Sequence, residues 1–345
     1  MSIAPIVPIG PTATALRVQV ISAVETELAA AVGAAQAQET LAADAKPVTP
    51  PAPPLPNPVR QAVDAARADA AGRQASFAPL FADLAEAFAA PGLPAPVKAA
   101  IGQLLALRTT LTAPLTAETI RQAVAQSGLF LEAHVRDGEA DQPDLKAALL
   151  TLQRALSAAP SAPPAAGTTR PLPTPPPIRE AGLTPQAAAT ATLSARDEAP
   201  AIVQQLTREV DQAVARQTLH QLASLPDGQA PSWLFELPVA TPQGTAVAQF
   251  EIDRDGRQSG AAGGSEAWRA RFSIDIEPLG PVHVHLRLDG ERTAVTVWAE
   301  REDGLARLRG LGAELSQALP ADVIFHPGSP RRPLPENGQF VDRAL

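Results

Sequence analysis

Apolar residues return every fourth position over residues 16–43, at Leu16, Val20, Val24 and Leu28, which is the spacing of one helix face. The same period recurs between residues 59 and 158. Phe77, Leu80, Phe81, Leu84 and Phe88 form one stripe. Val97, Ile101, Leu104, Leu105 and Leu107 form a second, started at Pro94 or Pro96. A third opens with Thr116 as N-cap and Glu118 near the positive end of the helix dipole, and carries Ile120, Val124, Leu131 and Val135. Ser127-Gly128 within it marks a kink or a helix end. A fourth starts at Pro143-Asp144 and repeats Leu145, Leu149, Leu152 and Leu156. Gly and Pro punctuate these stripes and aromatic residues are few, so the expectation is a marginal helical region. Over 201–225, Ile202, Leu206, Val210, Val214 and Leu222 fall near one face, with Arg208, Glu209, Asp211 and Arg216 mostly off it, which predicts a strong amphipathic helix.

From Trp233 the period changes to two. Phe235, Leu237 and Val239 alternate up to Thr241-Pro242-Gln243-Gly244, a β-turn with Pro at its second and Gly at its fourth position. Ala246, Ala248, Phe250 and Ile252 alternate on the return, and residues 255–265 read as a flexible loop. A third strand follows over 268–277, with Phe272, Ile274 and Ile276 on one face. In VHVHLRLDGERTAVTVWA, residues 282–299, Asp289-Gly290 is a hairpin turn between two alternating runs. A two-residue turn there sets Val284 opposite Val295 and Val282 opposite Val297. It also sets His283 opposite Thr296 and His285 opposite Ala294. A helix over 304–319, with Leu305, Leu308, Leu315 and Leu319, is expected to cover the valines, and Val323, Ile324 and Phe325 supply a last strand. The fold class is therefore an α+β C-terminal domain over 230–328, antiparallel hairpins with a covering helix. A largely disordered, helix-prone Pro- and Ala-rich region precedes it, and a tail over 329–345 follows.

Composition sharpens this division. Proline accounts for 37 of 345 residues, about twice the usual ~5% share, while aromatics make up 3% and Tyr is absent. Much of the 45% apolar content is Ala, which buries little area per residue. Residues 47–58, PVTPPAPPLPNP, favour extended polyproline II and read as a semi-rigid spacer behind an N-terminal segment 1–46. Residues 159–200 form a second Pro-rich linker, assigned to disorder for want of apolar anchors. A net charge of −8 without a Lys/Arg run gives no nucleic-acid footprint, and no apolar run is long enough to insert in a membrane. The N-terminus, broken by Pro5, Pro8 and Pro11 and lacking basic residues before them, is not read as a signal peptide.

Candidate chemistry is sparse. Without cysteine there is neither a disulfide framework nor thiolate chemistry. His283 and His285 point the same way from one strand, but no positioned carboxylate completes a metal set, and a solvated face is the plainer reading. The glycine-rich stretch 260–265 lacks the Lys of a phosphate loop, and Asp253, Asp255 and Gly256 lack the Glu of a calcium loop. No catalytic, metal or cofactor site is expected, so the chain reads as a non-enzyme. Trp298 stands out as a large aromatic on a polar face, either covered by a loop or available to a partner.

Three features together resemble flagellar hook-length control proteins. WLFELPV, RFSIDIEPLGPVHVHLRLDGERTAVTVWAE and LARLRGLGAELSQAL, within 233–326, resemble that family's C-terminal domain, with its Leu-Gly step into a β-hairpin and a Leu-patterned helix. IRQAVAQSGLFLEAHV and DLKAALLTLQRAL, at 120–135 and 144–156, look like an upstream segment of longer members. The Pro- and Ala-rich first half joined to a compact module is the third. Many members have a Pro four residues before the Gly and then two acidic residues. Here those positions are Ile276, Glu277 and Pro278, so Glu277, Leu279 and Gly280 are what carries over.

The resemblance implies a secreted regulator that crosses the flagellar type III export channel, meeting hook and hook-cap proteins on the way. It also implies cytoplasmic synthesis and action on the cytoplasmic domain of an export-gate membrane protein, ending hook-subunit export in favour of filament-type export. Residues 1–230 would span on the order of 350 Å as helix or ~750 Å extended. The expected contact residues are Glu277, Leu279, Gly280, His283, His285, Arg287 and Trp298. The alternative is a disordered scaffold that recruits partners through residues 47–58 or 171–177.

Overall fold

The computed structural model describes residues 58–110, 116–139, 142–162, 174–225, 231–255, 267–290, 292–318 and 321–330. The expected helix over 16–43, the segment 1–46, nearly all of the linker 47–58 and most of the tail 329–345 lie outside the described residues.

The helical stripes fold as read, and they do so as one body. Helices α1 (Pro58–Arg73), α2 (Phe77–Ala89), α3 (Ala95–Ala106), α4 (Ala117–Ala125), α5 (Leu131–Arg136), α6 (Leu145–Ser157) and α7 (Ala199–Ala223) follow in chain order. Thr116 caps α4 by accepting the Thr119 N–H, and Asp144 caps α6 by accepting the Ala147 N–H. The third stripe is interrupted at Gly128, whose φ of +86° ends α4 before α5 begins. Within the region expected to be marginal, α2, α3 and α6 form a close-packed layer, while α4 and α5 bury no residue of their own. Phe77, Phe81, Ile101, Leu149 and Leu152 are buried against Ile202, Leu206 and Val210 of α7 in one continuous core. That core also takes in Val247 from the sheet, so the helices and the strands share it.

The sheet has the order β1 (Thr109–Thr110), β2 (Ser232–Thr241), β3 (Gly244–Asp255), β4 (Ala267–Ile276), β5 (Gly280–Asp289), β6 (Arg292–Ala299) and β7 (Ala321–Pro327). The strands β2 to β6 form an antiparallel meander, while β1 and β7 pair in parallel at the two ends. One face, carrying Phe235, Leu237 and Phe250, is covered at the β2 end by Leu129 and Phe130 from the α4–α5 region. At the other end of that face, Val282, Val295 and Val297 lie under Leu308 of α8 (Glu302–Gly310). A short helix, α9 (Gly312–Ala318), splits off from the expected single helix 304–319.

The opposite face is where the layers are joined. Glu236 of β2 is fully buried there and takes both the Nε (2.7 Å) and Nη2 (2.6 Å) of Arg216 on α7. Burial alone would raise the Glu236 carboxyl, but the charges of Arg216 and then His220 outweigh it and hold it well below the usual range. The side-chain Nε2 of Gln186 donates to the same carboxylate at 2.7 Å. The expectation of a domain starting at 230, separate from the helices, meets here a buried ion pair that binds the two together.

Gln186 belongs to the stretch expected as a disordered linker. Residues 174–198 instead follow a fixed path, held by polar side chains where apolar anchors are few. Gln186 exchanges two backbone hydrogen bonds with Val247, on the edge of β3 that extends past β4. The Thr184 N–H donates to Gln249 (2.7 Å) and the Glu180 N–H to Glu251 (2.9 Å). Further along, buried Asp83 of α2 accepts from the Thr192 N–H (2.5 Å), the Thr192 hydroxyl (2.6 Å) and the Leu193 N–H (2.9 Å). Beside it stands Glu209 of α7, 7% exposed, whose Oε1 accepts from Gln205 while Oε2 has no partner. Burial, and then the neighbouring Asp83 carboxylate, push the Glu209 carboxyl up to about 8.

Candidate functional site

The residues expected to make contacts fall into two groups on the C-terminal half of the sheet. The first is the turn from β4 to β5. Ile276 pairs with Gly280 across three turn residues, and Gly280 has a φ of +73°. A side chain there would be strained by the backbone and would collide with the stem of Arg301, which lies across it. The Arg301 guanidinium grips both carboxylate oxygens of Glu277 (2.9 and 3.0 Å) and also reaches Asp303. Leu279 tucks beneath into the valine cluster. Its carbonyl oxygen sits where a Cβ on Gly304, in the first turn of α8, would have to be. Glu277, Leu279 and Gly280 are thus one structure with Arg301 and Gly304, two residues for which the sequence pattern offered no signal.

The second group lies on the strands. The hairpin pairs Val284 with Val297, His283 with Trp298 and His285 with Thr296, two residues away from the expected partners. The reason is the turn: Asp289 pairs with Arg292, so the two-residue connection is 290–291 and Gly290, at φ +59°, is its first residue. A shift of two keeps every side chain on its expected face. The valines are inward, the histidines and Trp298 outward.

His283 is only 4% exposed, which corrects the solvated-face reading. Its Nδ1 is 2.6 Å from the Ser273 hydroxyl and its Nε2 is 2.9 Å from Glu300. A Ser–His–Glu chain invites a hydrolytic reading. Ser273 is 1% exposed, however, so its hydroxyl has no path to a substrate, and the chain serves to fasten β4, β5 and the end of β6 together. With both ring nitrogens engaged, His283 offers nothing to a metal, and among the described residues no group of three His, Asp or Glu could hold one.

His285 and Trp298 are in ring contact with centroids 4.6 Å apart, and Trp298 stacks on His326 of β7 at 5.7 Å. Desolvation first, then the charges of Arg271 and His283, lower His285 to about 4, so it stands neutral at pH 7. Trp298 is half-buried, neither sealed in the core nor free. Arg287 is not part of this cluster. It pairs with Arg269 and Ala294 nearer the hairpin tip, exposed and 3.7 Å from Asp289. Beyond Trp298 the same face continues to Ile324, 54% exposed. The site is therefore a strip of aromatic and imidazole rings that runs on to Ile324, with the glutamate–arginine turn at one end.

Ser273, Glu300 and His326 complete this arrangement. Ser273 falls on the polar side of an alternating strand, which the period of two does indicate, but its bond to His283 depends on the pairing of β4 with β5. None of the described helices is long and apolar enough to cross a membrane. Neither a curated protein nor a solved structure matches the chain. Residues 256–324 match the family described as flagellar hook-length control protein FliK, which makes this C-terminal stretch, running from before β4 into β7, a FliK-like one.

Proposed function

We propose that the protein controls hook length in the bacterial flagellum, as a secreted regulator without catalytic activity. The observation that carries this reading is the FliK-like match over 256–324, because it covers the whole assembly of turn, hairpin and α8 described above. In this reading the C-terminal strands act on the cytoplasmic domain of the export-gate membrane protein. They end hook-type export in favour of filament-type export. The strip of His285, Trp298 and His326, with the Glu277–Gly280 turn beside it, is the contact surface. The chain is made in the cytoplasm and exported through the flagellar type III apparatus, meeting hook and hook-cap proteins in transit.

Deletion of the gene, followed by electron microscopy of detached hooks, tests the reading. Overlong hooks of scattered length, with few filaments, are expected; an unchanged length distribution would overturn it. Complementation with Trp298→Ala then tests the surface. A half-buried aromatic at a contact centre contributes about 2 kcal/mol, so binding to the gate's cytoplasmic domain should weaken roughly 30-fold with the circular dichroism spectrum unchanged. Full affinity would remove this strip from the interface.

A further inference from the structure

Among the described residues, the last strand of the sheet has an open edge with an internal symmetry. Gly328 donates its N–H to Ala299 (2.8 Å), which fixes the phase of the parallel β6–β7 ladder. Asp322, Ile324 and His326 turn their backbone groups toward β6. Ala321, Val323 and Phe325 turn theirs outward. The carbonyl of Phe325 is reached only distantly, at 3.4 Å, by exposed Arg309. Edge strands are commonly guarded against pairing by Lys, a mid-strand Pro or a bulge. Between 321 and 327 there is no Lys or Arg, and Pro327 stands at the very end.

We propose that β7 pairs antiparallel with β7 of a second copy of this chain, about a two-fold axis at Ile324. The strand has seven residues, and Ile324 is its centre. In that register Ile324 meets its own copy, Asp322 meets His326 and His326 meets Asp322, all on one face. Acid therefore lies opposite imidazole twice, and the exposed isoleucines cover each other. On the other face Val323 lies opposite Phe325. These two residues, whose backbone groups point outward, become the hydrogen-bonded pairs. Ile324 then falls at a non-hydrogen-bonded site, where opposing side chains approach most closely. Pro327 comes opposite Ala321 at the last position, where a missing N–H matters least; a register centred one residue later would draw it inward. The self-matching of carboxylate with imidazole and of the apolar centre is what favours a second copy over an unrelated strand. It is an isologous contact that closes on itself, so it stops at a dimer. One strand pair buries little area, so the dimer is weak and concentration-dependent. Its two His285–Trp298–His326 strips would lie on one continuous face.

The native chain has no cysteine, which permits a clean test in the full-length protein. Ile324→Cys places one thiol against its own copy at a separation a disulfide accepts. Asp322→Cys, also exposed on the same strand, places its thiol against His326. Under a mild oxidant, Ile324→Cys should form covalent dimer about tenfold faster or more than Asp322→Cys, since only the former thiols face each other. Sedimentation equilibrium of the unmodified chain should show mass rising toward twice the monomer with concentration. Ile324→Lys, a change at an exposed site that sets like charges opposite, should weaken the association about tenfold or more with an unchanged melting temperature. Equal cross-linking of the two cysteine variants would overturn the proposal. So would a monomer mass at every concentration, including one that changes only when another protein's strand is added, or a dimer indifferent to Ile324→Lys.

Discussion

Gly304 lacks a side chain for a reason visible only in three dimensions: the carbonyl of Leu279 fills the space a Cβ would need. The obstacle is backbone, which cannot swing aside as the Arg301 stem over Gly280 can. Gly304→Ala should therefore destabilise the chain by about 1–3 kcal/mol, read as a lowered midpoint in urea. Gly310→Ala, in the same helix with open space around it, should be neutral or stabilising by up to ~1 kcal/mol. If both behave alike, Gly304 is not a docking point. Glu209 gives a second residue-scale outcome. Its carboxyl is raised from 4.5 to about 8 in the folded chain, so between those pH values the folded state holds a proton that the unfolded state has lost. That contribution to stability is whole below about pH 4.5, falls at ~1.4 kcal/mol per pH unit as pH rises, and levels off above about 8. The charged groups facing it are Asp83 on α2 and Arg208 on its own helix. Glu209→Gln, which mimics the protonated form, should remove this slope: the variant gains on the native chain from pH 5 to pH 8 in denaturant titrations. Parallel curves would show that Glu209 does not hold the proton.

Helix α7 and strand β2 meet through a buried charge pair, with His220 beside it and the Ser224 hydroxyl bonded to the Leu234 backbone. Arg216→Met should cost about 3–5 kcal/mol, because it strands the Glu236 carboxylate in the interior. Adding Glu236→Leu should recover most of that loss, and a double variant as unstable as the single one would refute a charge-based account. The pair also shows where periodicity stops informing. Arg216 lies off the apolar stripe of its helix, yet α7 is buried on more than one side, so a position off the stripe is still interior. The Pro-rich stretch misleads for a related reason. Composition measures apolar anchors, and Gln186, Thr184 and Thr192 anchor residues 174–198 by hydrogen bonds. Conversely, the four helix stripes, the Thr116 and Asp144 caps and the Thr241–Gly244 turn follow local rules and were legible. The hairpin falls between these cases. Alternation fixed which face Val282, Val297, His283 and Trp298 occupy, while the partner across the ladder depended on a turn one residue further along. In the site, His285 and Trp298 could be picked out because aromatic and imidazole rings are conspicuous among alternating residues. Arg301 and Ser273 could not, since their roles come from long-range pairing.

At the scale of the molecule, α2, α3, α6 and α7 share one core with Val247 of β3, and the FliK-like stretch is the far half of a sheet whose near half is covered by helices. A fragment starting at 231 should consequently be less stable than one spanning 58–330, since it exposes Leu234, Glu236 and Val247. Thermal unfolding of the two compares them directly, and equal melting temperatures would mean that the helices add nothing to the sheet. The attachment of α1 has a mechanical corollary. Its buried contact with α7 consists of Ala70 against Ala215 and Leu219. Among the described residues, a pull from the N-terminal side loads that contact first. It then reaches α2 and α3 in succession, so that tension undoes the layer one helix at a time, like a seam opened from one end. The strands from β4 onward come last in that order, and the FliK-like part would keep its shape while everything ahead of it had been drawn out into a thread.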